Sequence, residues 1–389
     1  MKKLLSSLFL MCSFSVFAQK STTDKISIFQ DTGENGGDAI ELNGESDFCY
    51  LTARLEGSQY YTAYQMDIHF PEGMNVTSIV IANDEYTSDG NVIYASHVEG
   101  SGRNQKTVWD HSLQYNMIGN NTYRVICKSD ISANFTLHEG DLFYINITAS
   151  AFMKPGDVDI LVDNIYLTRN EDTNGDGIMH GVSYIPSVPC GGTIEGVSGE
   201  CNNVPLNISS AKWSTCILPF ATEIPTGVKA YTSSTSDDDY IFLTEANSIE
   251  AYTPYILYSE GGYSGTVSGT VDASGYPESG VVTVGNLTGA IVPQTVNNGY
   301  ILQNHEGIVK FYAIKNDDFF IVPAGKCWMN IASNNVKAFN FMIKDEETGI
   351  EYVTNIHAND VIYDMVGRRV STMKQGGLYI KNGEKFINK

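Results

Sequence analysis

Apolar side chains recur at every second position through much of this sequence. Tyr64, Met66, Ile68 and Phe70 alternate with Gln65, Asp67 and His69, the pattern of a strand with one buried face. Pro71-Glu72-Gly73 then ends the strand as a turn. Residues 123–127, 142–147 and 158–162 read the same way, each bounded by Gly, Asn, Asp or Pro. No stretch of 12 or more residues carries an i, i+3, i+4, i+7 apolar stripe. Short strands spaced roughly 8–12 residues apart, without helices, predict sandwiches or barrels. The expected fold is all-β: two antiparallel β-sandwich domains, jelly-roll or Ig-like, plus a short C-terminal β-segment.

The 389 residues suit two such domains with extra pieces at the ends. Residues 1–18 read as a signal peptide. Lys2 and Lys3 form a positive start, an apolar stretch follows, and Val16-Phe17-Ala18 offers a cleavage site. No later stretch approaches 18 apolar residues, so no membrane span is expected. The first sandwich is placed at 24–186. Pro186, Pro189, Gly191, Gly192, Gly196, Gly199 and Pro205 crowd the span 186–205, and residues 187–205 read as a linker. A second module covers 206–345, and a tail covers 355–389.

Charge narrows the partners. The chain has 24 basic and 45 acidic residues, a net charge of −21. That balance argues against nucleic acid and anionic membrane surfaces, which demand basic patches.

Six cysteines lie beyond the signal segment: Cys49, Cys127, Cys190, Cys201, Cys216 and Cys327. Export would place them where disulfides form. Cys190 and Cys201 bracket a Gly-rich loop and are the expected pair. The other reading is that most are small buried hydrophobes.

Chemistry-bearing patterns are few. Asp172-Thr173-Asn174-Gly175-Asp176-Gly177-Ile178 copies the first half of a calcium loop, with Asp172, Asn174 and Asp176 as oxygen ligands. Its twelfth position is Ser183, so any calcium would bind weakly, and an Asx-rich turn is the alternative. No other cofactor is expected. Asp237-Asp238-Asp239 reads as a solvated loop tip. Trp109-Asp110-His111 puts a carboxylate beside an imidazole, but adjacent strand residues face opposite sides. No G-x-S-x-G, Walker loop or metal-binding histidine pair occurs, so no catalytic residue is assigned and the chain is read as a non-enzyme. Tyr60 and Tyr61, just before a strand, are the candidate ligand-binding residues, able to stack on sugar rings.

Three segments resemble known families. Tyr64-Gln65-Met66-Asp67-Ile68-His69-Phe70-Pro71-Glu72-Gly73-Met74, with Gly140-Asp141-Leu142-Phe143 and Val162-Asp163-Asn164-Ile165-Tyr166-Leu167, resembles a cohesin-type jelly-roll domain over about 25–167. That resemblance implies binding to a protein partner, or a place beside carbohydrate-binding modules. Trp213-Ser214-Thr215-Cys216-Ile217-Leu218-Pro219-Phe220 and Ile249-Glu250-Ala251-Tyr252-Thr253-Pro254-Tyr255 resemble a small β-module of secreted Gram-negative surface proteins. Val361-Ile362-Tyr363-Asp364-Met365-Val366-Gly367-Arg368-Arg369-Val370, then Gly376-Gly377-Leu378-Tyr379-Ile380, resembles a short type IX sorting tail. It implies a meeting with the outer-membrane secretion machinery; a terminal hairpin docked on the second module is the alternative. The expectation is a secreted or cell-surface, non-catalytic binding or adhesion protein for an extracellular glycan or protein ligand. A glycan-active enzyme and a structural spacer are the competing classes.

Overall fold

The computed structural model describes residues 19–30, 40–43, 49–83, 93–237, 240–315, 318–331, 336–344, 351–353, 362–364, 369–370, 378–381 and 384–387. The signal segment 1–18, Asp238, Asp239 and most of the tail, Gly367, Gly376 and Gly377 included, lie outside them. The described residues are strands and turns, with two single 3₁₀ turns at Gly102–Asn104 and Ala273–Gly275 and no α-helix. The chain divides into two compact units, Met1–Asn203 and Val204–Lys389.

The first unit is a sandwich whose faces follow from the alternation. One antiparallel group runs Lys25–Phe29, Tyr50–Glu56, Gly140–Ala149 and Met74–Ile81. The other runs Gly156–Glu171, Ala63–His69, Thr122–Ser129 and His111–Gly119. Tyr64, Met66 and Ile68 are buried from one side, and Phe143, Ile145 and Ile147 from the other. The Tyr64 and Phe143 rings meet across the core, centroids 6.0 Å apart. The Tyr64 hydroxyl lies 2.9 Å from that of Tyr94, which donates to the Leu142 carbonyl at 2.6 Å. Strand pairing and apolar burial thus agree along each element, as a two-layer β fold requires.

The expected linker is a strand. Cys190–Ile208 pairs antiparallel with Gly156–Glu171, and the boundary between units falls after Asn203. Its glycines serve close backbone approach. A Cβ on Gly191, at φ +106°, would lie 2.1 Å from the Ile160 carbonyl oxygen, and one on Gly192 would lie 2.0 Å from that of Ile28. Only Gly fits such contacts. The Cys190–Cys201 bond is likewise corrected, since both are free thiols. They stand on one strand, with Cys190 opposite Val162 and Val197 opposite Gly156, so at about 3.3 Å per residue roughly 20 Å already separates Cys190 from Val197, short of Cys201. A disulfide needs Cα atoms within about 7 Å. Burial raises the Cys201 thiol to about 11, in keeping with the small-hydrophobe reading.

The second unit is built on a sheet from Trp213–Cys216 through Tyr255–Tyr258, Lys229–Ser236, Tyr240–Ala246, Ala338–Lys344, Ile308–Ala313, Tyr300–His305, Cys327–Met329 and Leu287–Ala290 to Val281–Val284. One pairing, Tyr240–Ala246 with Ala338–Lys344, is parallel. Trp213, Tyr231, Leu243, Phe311 and Phe341 form its core, with the Trp213 and Phe341 rings 4.5 Å apart. In the tail, Ile362–Asp364, Arg369–Val370, Leu378–Lys381 and Glu384–Ile387 make a small antiparallel sheet.

Candidate binding surface

The two tyrosines singled out by sequence part company. Tyr60 is 49% exposed, whereas Tyr61 is fully buried. The Tyr61 hydroxyl donates to Asp24 Oδ2 at 2.8 Å, and its ring meets Tyr184 edge-on. Asp24, itself buried, also accepts from the Ser58 backbone N–H at 3.0 Å and the Ser58 hydroxyl at 3.1 Å. Tyr61 is therefore a core residue, and its part in ligand binding is withdrawn. Tyr61 and Thr62 both turn into the core ahead of the strand that begins at Ala63, and Tyr60 is left outside.

Tyr60 stands edge-on to His138, ring centroids 5.8 Å apart. His138 helps line a cavity of about 470 Å³ with Phe29, Arg54, Glu56 and Glu139. The Ser27 hydroxyl bonds Glu56, and that bond, together with Lys25 at 3.0 Å, holds its carboxyl below the usual range. A guanidinium, an imidazole and two carboxylates around one space suit a hydroxyl-rich ligand. Sequence patterns could not assemble this group, because Arg54 and His138 come from distant segments.

The calcium-like segment closes a hairpin between Gly156–Glu171 and His180–Pro186. Asp172 Oδ1 accepts from the backbone N–H groups of Asn174, Gly175 and Asp176 at 3.3, 2.7 and 3.2 Å, and Oδ2 from Gly177 at 2.9 Å. Asp176 accepts from the Ile178 N–H at 2.9 Å. These backbone bonds, that from Gly177 foremost, hold the Asp172 carboxyl below its ordinary range. The arrangement is the Asx-type turn left open by the sequence. Among the described residues no three His, Cys, Asp or Glu side chains gather closely enough to share a metal ion. Because Asp172 already spends both carboxylate oxygens on four backbone N–H groups, about 5 mM calcium should move the melting temperature by less than about 1 °C. A rise of several degrees that Asp176→Ala removes would make the loop a calcium site.

Asp110 and His111 diverge. The Asp110 carboxylate bonds His97 and raises that imidazole's pKa. His111 is buried among Tyr94 and Phe135, with Nε2 3.1 Å from the Ala133 carbonyl oxygen. Burial lowers its pKa.

The feature not anticipated is the strand His111–Gly119. It ends the sheet, pairing with Thr122–Ser129 on one side. Among the described residues its other edge has no partner strand. From Ser112 to Gly119 it carries neither charge nor proline, and Tyr115, Met117 and Ile118 are 41%, 55% and 46% exposed. Natural sheets commonly blunt such edges with charges, prolines or covering loops. The signal lay in the sequence as an eight-residue neutral run inside a chain of net charge −21.

Beside this edge lies a polar cluster on the outward face of the same sheet. Arg124 stands opposite Asp67 in register and grips it through Nε–Oδ1 and Nη2–Oδ2 bonds, both 2.7 Å. Asn164 donates to Asp67 Oδ2 at 2.8 Å. Asn164 reaches it from a bulge, at φ +48°, where the pairing shifts between Asp163 and Tyr166.

No family model matches the sequence, and no curated protein matches it. Among solved structures, the chain is similar to a non-cellulosomal cohesin from the hyperthermophilic archaeon Archaeoglobus fulgidus, at 15% identity over 44% of this chain and 90% of that one, with a TM-score of 0.25. It is similar to the seventh ScaB type I cohesin from Pseudobacteroides cellulosolvens, at 7% identity over 44% and 91%, TM-score 0.27. It is also similar to a chain of the Coh-OlpC-Doc435 cohesin–dockerin complex from Clostridium thermocellum, at 8% identity over 46% and 98%, TM-score 0.26. The all-β class stands on the strands themselves.

Proposed function

We propose that this chain is a non-catalytic binding protein, exported to the cell surface, whose first unit captures an extended segment of another protein along His111–Gly119. The unpartnered edge carries the reading. Among the described residues no strand pairs with this edge, and an edge open in that way is a template for strand addition, with side-chain specificity supplied by alternate residues. Tyr115 and Met117, opposite Val125 and Tyr123, would grip the incoming strand. The net charge of −21 favours a partner with basic residues flanking a neutral core. Export and surface retention belong to the same proposal and rest on the 1–18 segment and the sorting-like tail.

Panning a library of displayed nine-residue peptides against the full chain tests the proposal. Binders should alternate apolar residues and carry Lys or Arg at their ends. Tyr115→Lys with Met117→Lys should weaken them by at least about tenfold, since lysine on an edge opposes pairing. Both residues are exposed, so the melting temperature should hold. Binders indifferent to the double substitution would overturn the edge as the site. A glycan-array signal lost in Tyr60→Ala but kept in the lysine variant would move the function to the cavity beside Tyr60.

A further inference from the structure

The second unit holds a cavity of about 350 Å³ between its Trp213–Cys216 strand and the 320–327 segment. Its walls are largely apolar and include Trp213, Leu302, Val309 and Pro323, and Lys326 and Ser214 also line it. The Lys326 ammonium donates to Ser214 Oγ at 3.1 Å and to the Thr215 carbonyl at 3.2 Å. An ammonium has three N–H donors, and these two bonds leave one. Among the described residues no carboxylate pairs with Lys326. Its backbone is pinned: the Lys326 N–H donates to the Pro323 carbonyl at 3.2 Å, and its own carbonyl accepts from Ala290 at 2.9 Å. The charge is thus half-buried, held in place and, among the described residues, without a counter-ion, in a chain where acidic residues outnumber basic ones 45 to 24. At the same segment Phe319 and Ile321 are 69% and 65% exposed, and Ile321 lines the cavity.

We infer that this cavity binds a small monocarboxylate with an aromatic or aliphatic body. Apolar walls with a few convergent polar groups are the usual make-up of a ligand pocket. A carboxylate would take the remaining Lys326 N–H, and the Ser214 hydroxyl, which accepts from Lys326 and points its own proton at the Thr215 carbonyl at 3.5 Å, would turn from that carbonyl to become a second donor. A single fixed cation matches a single negative charge, and the acidic chain opposes a polyanion. At about 30 Å³ per water-sized group, the space holds roughly a dozen non-hydrogen atoms. Every residue invoked belongs to the second unit, so the inference stands apart from the edge-strand proposal.

The test titrates the full chain with 4-phenylbutyrate and, separately, its primary amide, reading heat and tryptophan fluorescence. The acid should bind at least about tenfold more tightly than the amide, the size of one charge-assisted hydrogen bond. Trp213→Phe should remove the fluorescence response, and Lys326→Gln should bring acid and amide level. Equal binding of acid and amide by the unsubstituted chain would overturn the inference, and this comparison needs no variant to fold. Absence of heat and fluorescence change up to about 10 mM acid would overturn it as well.

Discussion

Tyr61→Ala is expected to destabilise the first unit by about 3–5 kcal/mol, the usual cost of truncating a buried aromatic ring. The ring fills core space against Tyr184, and its hydroxyl satisfies a buried carboxylate, Asp24. Both losses come with one substitution: a cavity, and an acceptor left short of a donor. Tyr61→Phe separates them. It keeps the ring and removes the donor, and should cost about 1–2 kcal/mol. Tyr60→Ala, at an exposed neighbour, should stay within about 0.5 kcal/mol. Denaturant unfolding of the full chain, followed by a probe in the first unit, measures all three. Equal midpoints for Tyr60→Ala and Tyr61→Ala would show that Tyr61 is not the core residue described.

Arg124→Ala should cost about 3 kcal/mol, because it leaves Asp67 ionised and enclosed with Asn164 as its remaining partner. The Asp67 side chain is 2% exposed and that of Arg124 is 39% exposed, which places the cost at the lower end for broken buried pairs. The pair also makes the unit sensitive to acid. Burial pushes the Asp67 carboxyl up, but the Arg124 and Asn164 hydrogen bonds outweigh it and hold the group below its ordinary 3.8. Its unfolded form therefore takes up a proton first. The stability it contributes is complete above the ordinary value and is lost as pH falls through the lower folded value. The gap between wild type and Arg124→Ala should be widest near neutral pH and shrink below about pH 4. His111 acts in the same direction, since a buried neutral imidazole with lowered pKa disfavours acid. A gap independent of pH would mean that Arg124 acts through packing alone.

Much of the fold was legible along the chain. The 64–70 alternation became Ala63–His69, and residues 123–127, 142–147 and 158–162 fell inside Thr122–Ser129, Gly140–Ala149 and Gly156–Glu171. Burial on one face of a strand has a period of two, and that period is written in the residues themselves. The 187–205 segment misled for a physical reason. Glycine serves a loose connection and a tight backbone crossing equally well, and only the carbonyls of Ile160 and Ile28, brought in from other strands, decide between them.

The sequence by itself determined the all-β class, the acidic character and the position of most strands, because these depend on local periodicity and composition. Tertiary structure alone decided which of Tyr60 and Tyr61 faces out, that Cys190 and Cys201 stand far apart on one strand, and that the neutral run 112–119 lies at a sheet edge. It also set Lys326 against Ser214 across 112 residues of chain. Each of these is a relation between segments distant in sequence, fixed by the packing of one layer on another, and no pattern within a single segment encodes it.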